Sequence, residues 1–277
     1  MSTPVLVEIT SGAVVLRDPE GPLVRVDEAG YLRGDGVFET VAVLDGRPRA
    51  LGEHLERLAG SARAVGLTIP EAPLWSRAVD LAVAEHDRVD DLTVRFIAAH
   101  GSGDSARCTV RATPTPDSRA LREKGAAVVV LDRGYASGPL APWLLPGVKT
   151  TSGAVTRAAL REAASRGADD VVWRTSDGLL LEGATSSLVL LGDGVLATPL
   201  SDSVLAGTTV EQVLALGERR GLASSRRELP VSALTGADAA WLVSSTRRAI
   251  PVRSVDGAPL AIDAGLTAAF EAGLLAG

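Results

Sequence analysis

Lys149 stands in the stretch PGVKTTSG (146–153) and is one of only two lysines in a chain whose Lys and Arg total 28. Arginine serves most purposes of a surface cation, but its guanidinium stays protonated and cannot condense with a carbonyl. A lysine kept in a Gly/Thr-rich turn therefore points to amine chemistry. Lys124, in the charged run LREKG, reads as an ordinary surface residue. Three other stretches carry side chains of chemical interest. Glu182 ends the apolar run of LLLEGATSSLVL, where it is either a satisfied loop carboxylate or the electrostatic partner of something bound. LAGTTVEQV (205–213) puts Gly207, Thr208 and Thr209 at the start of a helix. Such a start offers N–H groups and hydroxyls to an anion, or simply caps itself with threonine. LVSSTRR (242–248) follows an apolar run with Ser245, Thr246, Arg247 and Arg248, a second set compatible with an anion.

These residues need elements to hold them, and the periodicities define those elements. AVVLRD and GVFETVAVLDGRPRAL read as strands, with Asp45-Gly46 as a hairpin turn. Leu51, Leu55, Leu58, Ala62 and Val65 recur at helical spacing, with Arg57 on the polar side, where a solvated arginine is the default. A second helix is expected over Ala72 to Glu85. LTVRFIAAH and RCTVRAT are two more strands, with Cys108 an ordinary residue of the latter. TPTPDSRALREKG (113–125) combines prolines and charge without an apolar period and reads as a linker. After the strand AAVVVLD, the spacing of Val155, Ala158, Ala159, Ala163 and Ala164 makes Ser152 onward a helix, stopped at Gly167. Lys149 would then lie just before a helix N-terminus, whose positive end disfavours an ammonium and lowers the lysine pKa. DDVVWRTSDGLLLEG reads as a hairpin, SSLVLL, GVLATP and AAWLVSS as strands, and TTVEQVLALGERRG and GLTAAFEAGLLAG as helices. The expectation is an α+β protein: a small N-terminal domain over 1–115, a linker over 116–124, and a larger C-terminal domain over 125–277 carrying Lys149.

The bulk numbers narrow the function classes. With 277 residues and 46% hydrophobic content the chain has material for a substantial core. A net charge of −6 argues against a general nucleic-acid or anionic-membrane binder. The single Cys108 excludes an intramolecular disulfide, and His54, His86 and His100 show no metal-ligand spacing. The start MSTPVLVEIT lacks the pattern of a signal peptide, and no apolar stretch is long enough for a membrane helix, so a cytoplasmic location is expected. GDG at 34–36 is too short for a dinucleotide fingerprint, no phosphate-binding G-x-x-x-x-G-K-[ST] loop exists, and ATSSL around Ser186 lacks the nucleophile elbow of a serine hydrolase.

Taken in order, GYLRGDGVFET, EHLERLAGSA, the lysine of GVKTTSG, LEGATSS, LAGTTV and VSSTRRAIPV resemble the class IV pyridoxal-phosphate enzymes. That family includes branched-chain and D-amino acid aminotransferases and 4-amino-4-deoxychorismate lyase, and the matching stretches span about residues 30 to 255. The resemblance implies the two-domain D-amino acid aminotransferase-like fold, pyridoxal 5′-phosphate as cofactor, a small-molecule substrate and a homodimer. It implies that Lys149 joins the cofactor and later carries protons, and that Glu182 partners the pyridinium nitrogen. It assigns the cofactor phosphate to Arg57, Thr208, Thr209 and Ser245, with Thr246 assisting.

Within that family the resemblance leans to the lyase, which releases pyruvate and leaves 4-aminobenzoate for folate synthesis. Phe38-Glu39-Thr40 matches the lyase pattern of a threonine two residues after the aromatic of GDG-x-F, so Thr40 is the candidate for the enol-protonating step and Phe38 lies on the substrate side. An ordinary strand threonine, favoured by β propensity, is the competing explanation. Gly153 and Ala154 stand where several relatives carry Asn, Arg or Tyr, and Arg107-Cys108-Thr109 keeps the arginine but lacks the histidine of a D-amino acid carboxylate trap. Arg107, Arg247 and Arg248 are candidates for substrate carboxylates. A class IV transaminase and a non-catalytic relative that kept the fold are the alternatives.

Overall fold

Period-two alternation builds the first sheet. The computed structural model describes residues 3–103 and 105–276. Strands β1 (Val5–Thr10), β2 (Ala13–Arg17), β3 (Gly36–Leu44), β4 (Arg47–Pro48), β5 (Asp91–His100) and β6 (Ala106–Pro114) form one antiparallel sheet in the order β2-β1-β6-β5-β3-β4. A short helix α1 (Ala29–Arg33) leads into β3, while α2 (Leu51–Ala64) and α3 (Ala72–Ala84) cover one face of the sheet. Val37, Val41, Val43, Val94, Phe96 and Val110 meet Leu58, Ala62, Trp75 and Val79 there. Side chains one residue out of step with these, Phe38, Thr40, Arg95 and Ile97 among them, project from the opposite face. Cys108 lies in the helix-covered core, and its thiol is pushed up to about 12 by burial and the nearby charge of Glu8, which makes it inert.

The lysine segment departs from expectation. Val148–Gly153 packs with this first unit, together with the residues up to Pro116, whereas the sequence reading puts Lys149 in the second domain. The cause is backbone pairing. Phe38 N donates to Lys149 O at 3.0 Å, Thr151 N donates to Gly36 O at 2.8 Å, and Thr150 bridges Val37, so the segment runs beside β3 as a short extra strand. Thr151 Oγ1 and Ser152 Oγ both donate to Gly34 O, at 2.8 and 2.9 Å. Gly34 closes α1 at φ +65°, a left-handed conformation that suits glycine, with Ser152 close against it.

The second unit holds Asp117–Gly147 and the residues from Ala154 onward. The expected linker is part of it: Arg119–Lys124 forms helix α4, and Arg122 pairs with Glu271. Strands β7 (Ala126–Asp132), β8 (Asp170–Arg174), β9 (Leu180–Gly183), β10 (Ser187–Gly192), β11 (Val195–Pro199), β12 (Ala223–Arg227), β13 (Ala239–Ser244) and β14 (Arg248–Val255) run in the order β12-β11-β10-β13-β14-β7-β8-β9, with β15 (Ala258–Pro259) beside β14. Two of the parallel pairs explain two helices, because parallel neighbours need a crossover. Helix α5 (Ala154–Ser165) links β7 to β8, and α6 (Thr208–Glu218) links β11 to β12. Helix α6 and the closing α8 (Ala264–Ala276) bury Val213, Leu216 and Phe270 against Val189, Leu196 and Trp241. The short α7 (Val231–Thr235) buries Leu234 in a separate cluster with Leu188 and Leu242. Among the described residues no helix is long and apolar enough to cross a membrane.

Candidate active site

Within the first unit, Lys149 Nζ lies 4.5 Å from the centroid of the Phe38 ring, and the guanidinium of Arg95 lies 5.6 Å from the same ring. Thr40 faces Arg95 across the β3–β5 ladder and shares the face of Phe38, two residues away. The structure therefore gathers an amine, an aromatic ring, a hydroxyl and an arginine on the uncovered face of one sheet. Lys149 is held by its backbone: its carbonyl accepts from Phe38, and its N–H donates to Ser61 Oγ at 3.4 Å. Helix α5 starts at Ala154, five residues after Lys149, so the lysine does not stand immediately before the helix as the spacing predicts. That expectation is corrected; residues 150–152 are taken up by the pairing with β3.

Arg57, expected as a solvated arginine or a phosphate ligand, is fixed from behind. Its Nε donates to Glu39 Oε1 at 2.6 Å and its Nη2 to Glu39 Oε2 at 2.8 Å, while His54 Nδ1 lies 2.7 Å from Oε2. Burial would raise the Glu39 carboxyl, but hydrogen bonds from Arg57 and His54, and then the Arg57 charge, bring it down to about 2. The arginine stays 14% exposed while the glutamate is fully enclosed, so the charged tip of Arg57 is the part of this group that reaches the surface. Sequence reasoning missed Glu39. The available signal was a glutamate in phase with Val37, Val41 and Val43, where an apolar residue belongs.

The second unit assembles the other candidates where β9, β10 and β13 end. Glu182 Oε2 accepts from Leu205 N at 3.3 Å, which ties the close of β9 to the loop entering α6. Gly207 is the N-cap of α6, and a Cβ there would come 2.3 Å from Ser187 Oγ, so the backbone runs close against that side chain. Thr208 and Thr209 open the helix, Thr209 buried. Ser187 pairs with Val243, which brings the β13–β14 turn carrying Ser245 and Thr246 to the same end of the sheet. A carboxylate, a close backbone approach and several hydroxyls at a helix start suit a pyridinium nitrogen and a phosphate. Taken by itself, the first unit offers an amine for the cofactor's aldehyde and an arginine anchored by Glu39, so the residues present fit pyridoxal 5′-phosphate.

The three arginines proposed for substrate carboxylates are already engaged. Arg107 donates to Glu28 through Nε at 2.8 Å and Nη2 at 2.5 Å, and to Glu8 through Nη1 at 2.7 Å. Arg247 pairs with the buried Asp170 at 2.8 Å and donates to Thr185. Arg248 is buried with its Nε 2.8 Å from Glu271 Oε1, a charge contact without a well-aligned hydrogen bond, so it serves the packing of α8. Among the described residues Arg95 makes no ion pair, and its guanidinium stands by the Phe38 ring that Lys149 also approaches.

Two sheet-based units, one with a strand-borne lysine amine and the other with a helix entered through glycine and threonine, are the frame of a pyridoxal-phosphate enzyme of the aminotransferase kind. Residues 36–255 match the family described as amino-transferase class IV, and the chain belongs to that family, whose cofactor is pyridoxal 5′-phosphate. A bifunctional aminodeoxychorismate lyase / D-amino acid transaminase of Mycobacterium tuberculosis H37Rv is 36% identical over 255 residues, 86% of this chain and 88% of that protein. The fold IV transaminase CpuTA1 of Curtobacterium pusillum superposes with a TM-score of 0.94 at 41% identity, covering 99% of this chain and 97% of that one. The pyridoxal-phosphate-bound form of a hypothetical aminotransferase from M. tuberculosis gives a TM-score of 0.89 at 34% identity, with 99% of both chains covered.

Proposed function

We propose that the chain is a 4-amino-4-deoxychorismate lyase that releases pyruvate and leaves 4-aminobenzoate. The observation that carries the reading is Thr40 beside Phe38 on the face where Lys149 Nζ stands over the ring. The bound cofactor supplies an electron sink next to the substrate nitrogen. Lys149 Nζ takes the proton from the ring carbon bearing the amine. The C–O bond to the enolpyruvyl group breaks with its electron pair leaving on oxygen, and the ring becomes aromatic. Thr40 Oγ1 gives its proton to the methylene carbon of the enol, which becomes pyruvate, and is reprotonated with the proton that Lys149 Nζ took from the ring. Arg95 receives a substrate carboxylate in place of the engaged Arg107, Arg247 and Arg248. Glu182 partners the pyridinium nitrogen, and Arg57, Thr208, Thr209, Ser245 and Thr246 serve the phosphate. The reading carries with it a cytoplasmic homodimer.

D-amino acid transamination is the second reading, favoured by the relative that bears both activities. The test is pyruvate release from 4-amino-4-deoxychorismate by cofactor-loaded protein, with Lys149→Ala expected to lower it by about 10³-fold or more. Loaded protein that releases no pyruvate but exchanges amino groups between D-alanine and 2-oxoglutarate would replace the lyase with the transaminase.

A further inference from the structure

We infer that Glu39 is a positioning residue for the cofactor phosphate, acting only through Arg57; the inference rests on the assignment of Arg57 to that phosphate. Glu39 interrupts an apolar face. Its neighbours in phase on β3, Val37, Val41 and Val43, are core residues packed under α2 and α3. A buried ion pair is often replaceable by apolar side chains of similar volume with no loss of stability, so stability alone gives no reason for a carboxylate here. Geometry gives one. Two parallel bonds to Nε and Nη2 fix the plane of the guanidinium, as a single point contact could not. The second carboxylate oxygen also accepts from Thr40 N at 3.3 Å and meets His54 Nδ1, so the glutamate is itself locked from β3 and from α2. Ser61, one turn beyond Arg57 on α2, accepts the N–H of Lys149. One face of α2 therefore carries both the phosphate cation and a contact to the backbone of the reactive lysine, and Glu39 orients the first of these.

The experiment compares binding of pyridoxal 5′-phosphate with binding of pyridoxal, which lacks the phosphate, by absorbance titration of full-length protein. Glu39→Gln should weaken pyridoxal phosphate by about tenfold or more and leave pyridoxal within about twofold, because a loss confined to the phosphate contact cannot touch the unphosphorylated ligand. A merely structural role would move both ligands or neither. Adding Glu39→Gln to Arg57→Ala should cause no further loss. If Arg57→Ala abolishes the preference for the phosphorylated ligand and Glu39→Gln does not, the inference is overturned while the assignment of Arg57 stands. If the preference survives Arg57→Ala, the assignment of Arg57 fails and the inference with it. Should Glu39→Gln not fold, Arg57→Lys reads the same contact from the other side: lysine keeps the charge but cannot make the double bond to Glu39, so an undiminished preference would overturn the inference.

Discussion

At the residue scale, the part proposed for Thr40 separates the lyase reading from the transaminase. A hydroxyl that protonates the leaving enol contributes to one reaction only. Thr40→Val, nearly isosteric, should lower pyruvate release by about 10²-fold while transamination of D-alanine is unchanged, measured side by side on the same loaded preparation. Equal losses in both assays would make Thr40 a strand residue without a chemical part. Glu39 also has a consequence for acid stability. Its carboxyl falls from an ordinary 4.5 to about 2 in the fold, so the stability it contributes is fully present above pH 4.5 and is lost as pH falls from there toward 2. That contribution is about 3 kcal/mol at most, shared with Arg57 and His54. Urea unfolding at pH 6 and pH 3 should show a smaller difference for Glu39→Gln than for the unsubstituted protein. The residue types were legible in the sequence, the partners were not: Arg107, Arg247 and Arg248 look available until Glu28, Asp170 and Glu271 are found against them. Those carboxylates are distant in sequence from the arginines they hold, and no local pattern joins them.

At the element scale, the start of α6 is the sensitive point. Gly207→Ala drives a methyl group into Ser187 Oγ and close to Val210 Cγ1, so the serine hydroxyl must turn aside or the N-terminal turn must shift. The expected outcome is a cofactor dissociation constant raised by about tenfold with little change in melting temperature, read by titration and by circular dichroism. An unchanged affinity would remove this helix start from the site. Most of the strands and the long helices follow from periodicity: α2, α3, β3, β5 and α8 agree with the apolar spacing within a few residues. Strands β1, β12, β14 and β15 and the short helices α1 and α7 were not foreseen, and two further elements did not read correctly. Helix α4 lies in a stretch without an apolar period, and it is ordered by Arg122 meeting Glu271 and by contact with β14. Helix α5 starts at Ala154 instead of Ser152, because Thr150 and Thr151 are drawn into the β3 ladder. In both cases tertiary contact outweighs local propensity.

At the scale of the whole molecule, the first unit is discontinuous in sequence. It takes Val148–Gly153 from beyond the chain that begins the second unit. A cut at Pro116 therefore removes five hydrogen-bonded contacts to that segment: the bonds to Phe38 N, Gly36 O and Ser61 Oγ and the two to Gly34 O. At about 1 kcal/mol each, their loss amounts to several kcal/mol and leaves part of β3 without a partner. A fragment of residues 1–116 should melt well below the intact protein and tend to associate, as followed by circular dichroism and light scattering. A monomeric fragment as stable as the intact chain would show that the lysine segment contributes little to this unit.

By itself the sequence determined the α+β class, the long helices and most of the strands and, through six ordered motifs, the family and its cofactor. It could do so because periodicity and turn chemistry are local, and because the lone lysine of a Thr/Gly turn is chemically distinct among arginines. Tertiary structure alone decided where Lys149 belongs, which carboxylate holds Arg57, and which arginines are taken up by carboxylates. Those outcomes depend on contacts between residues far apart in the chain: Phe38 with Lys149, Glu39 with Arg57, Arg107 with Glu28. Pairing a charge or adding a strand is chosen by what folding brings within about 3 Å, and that distance is not written in any short stretch of sequence.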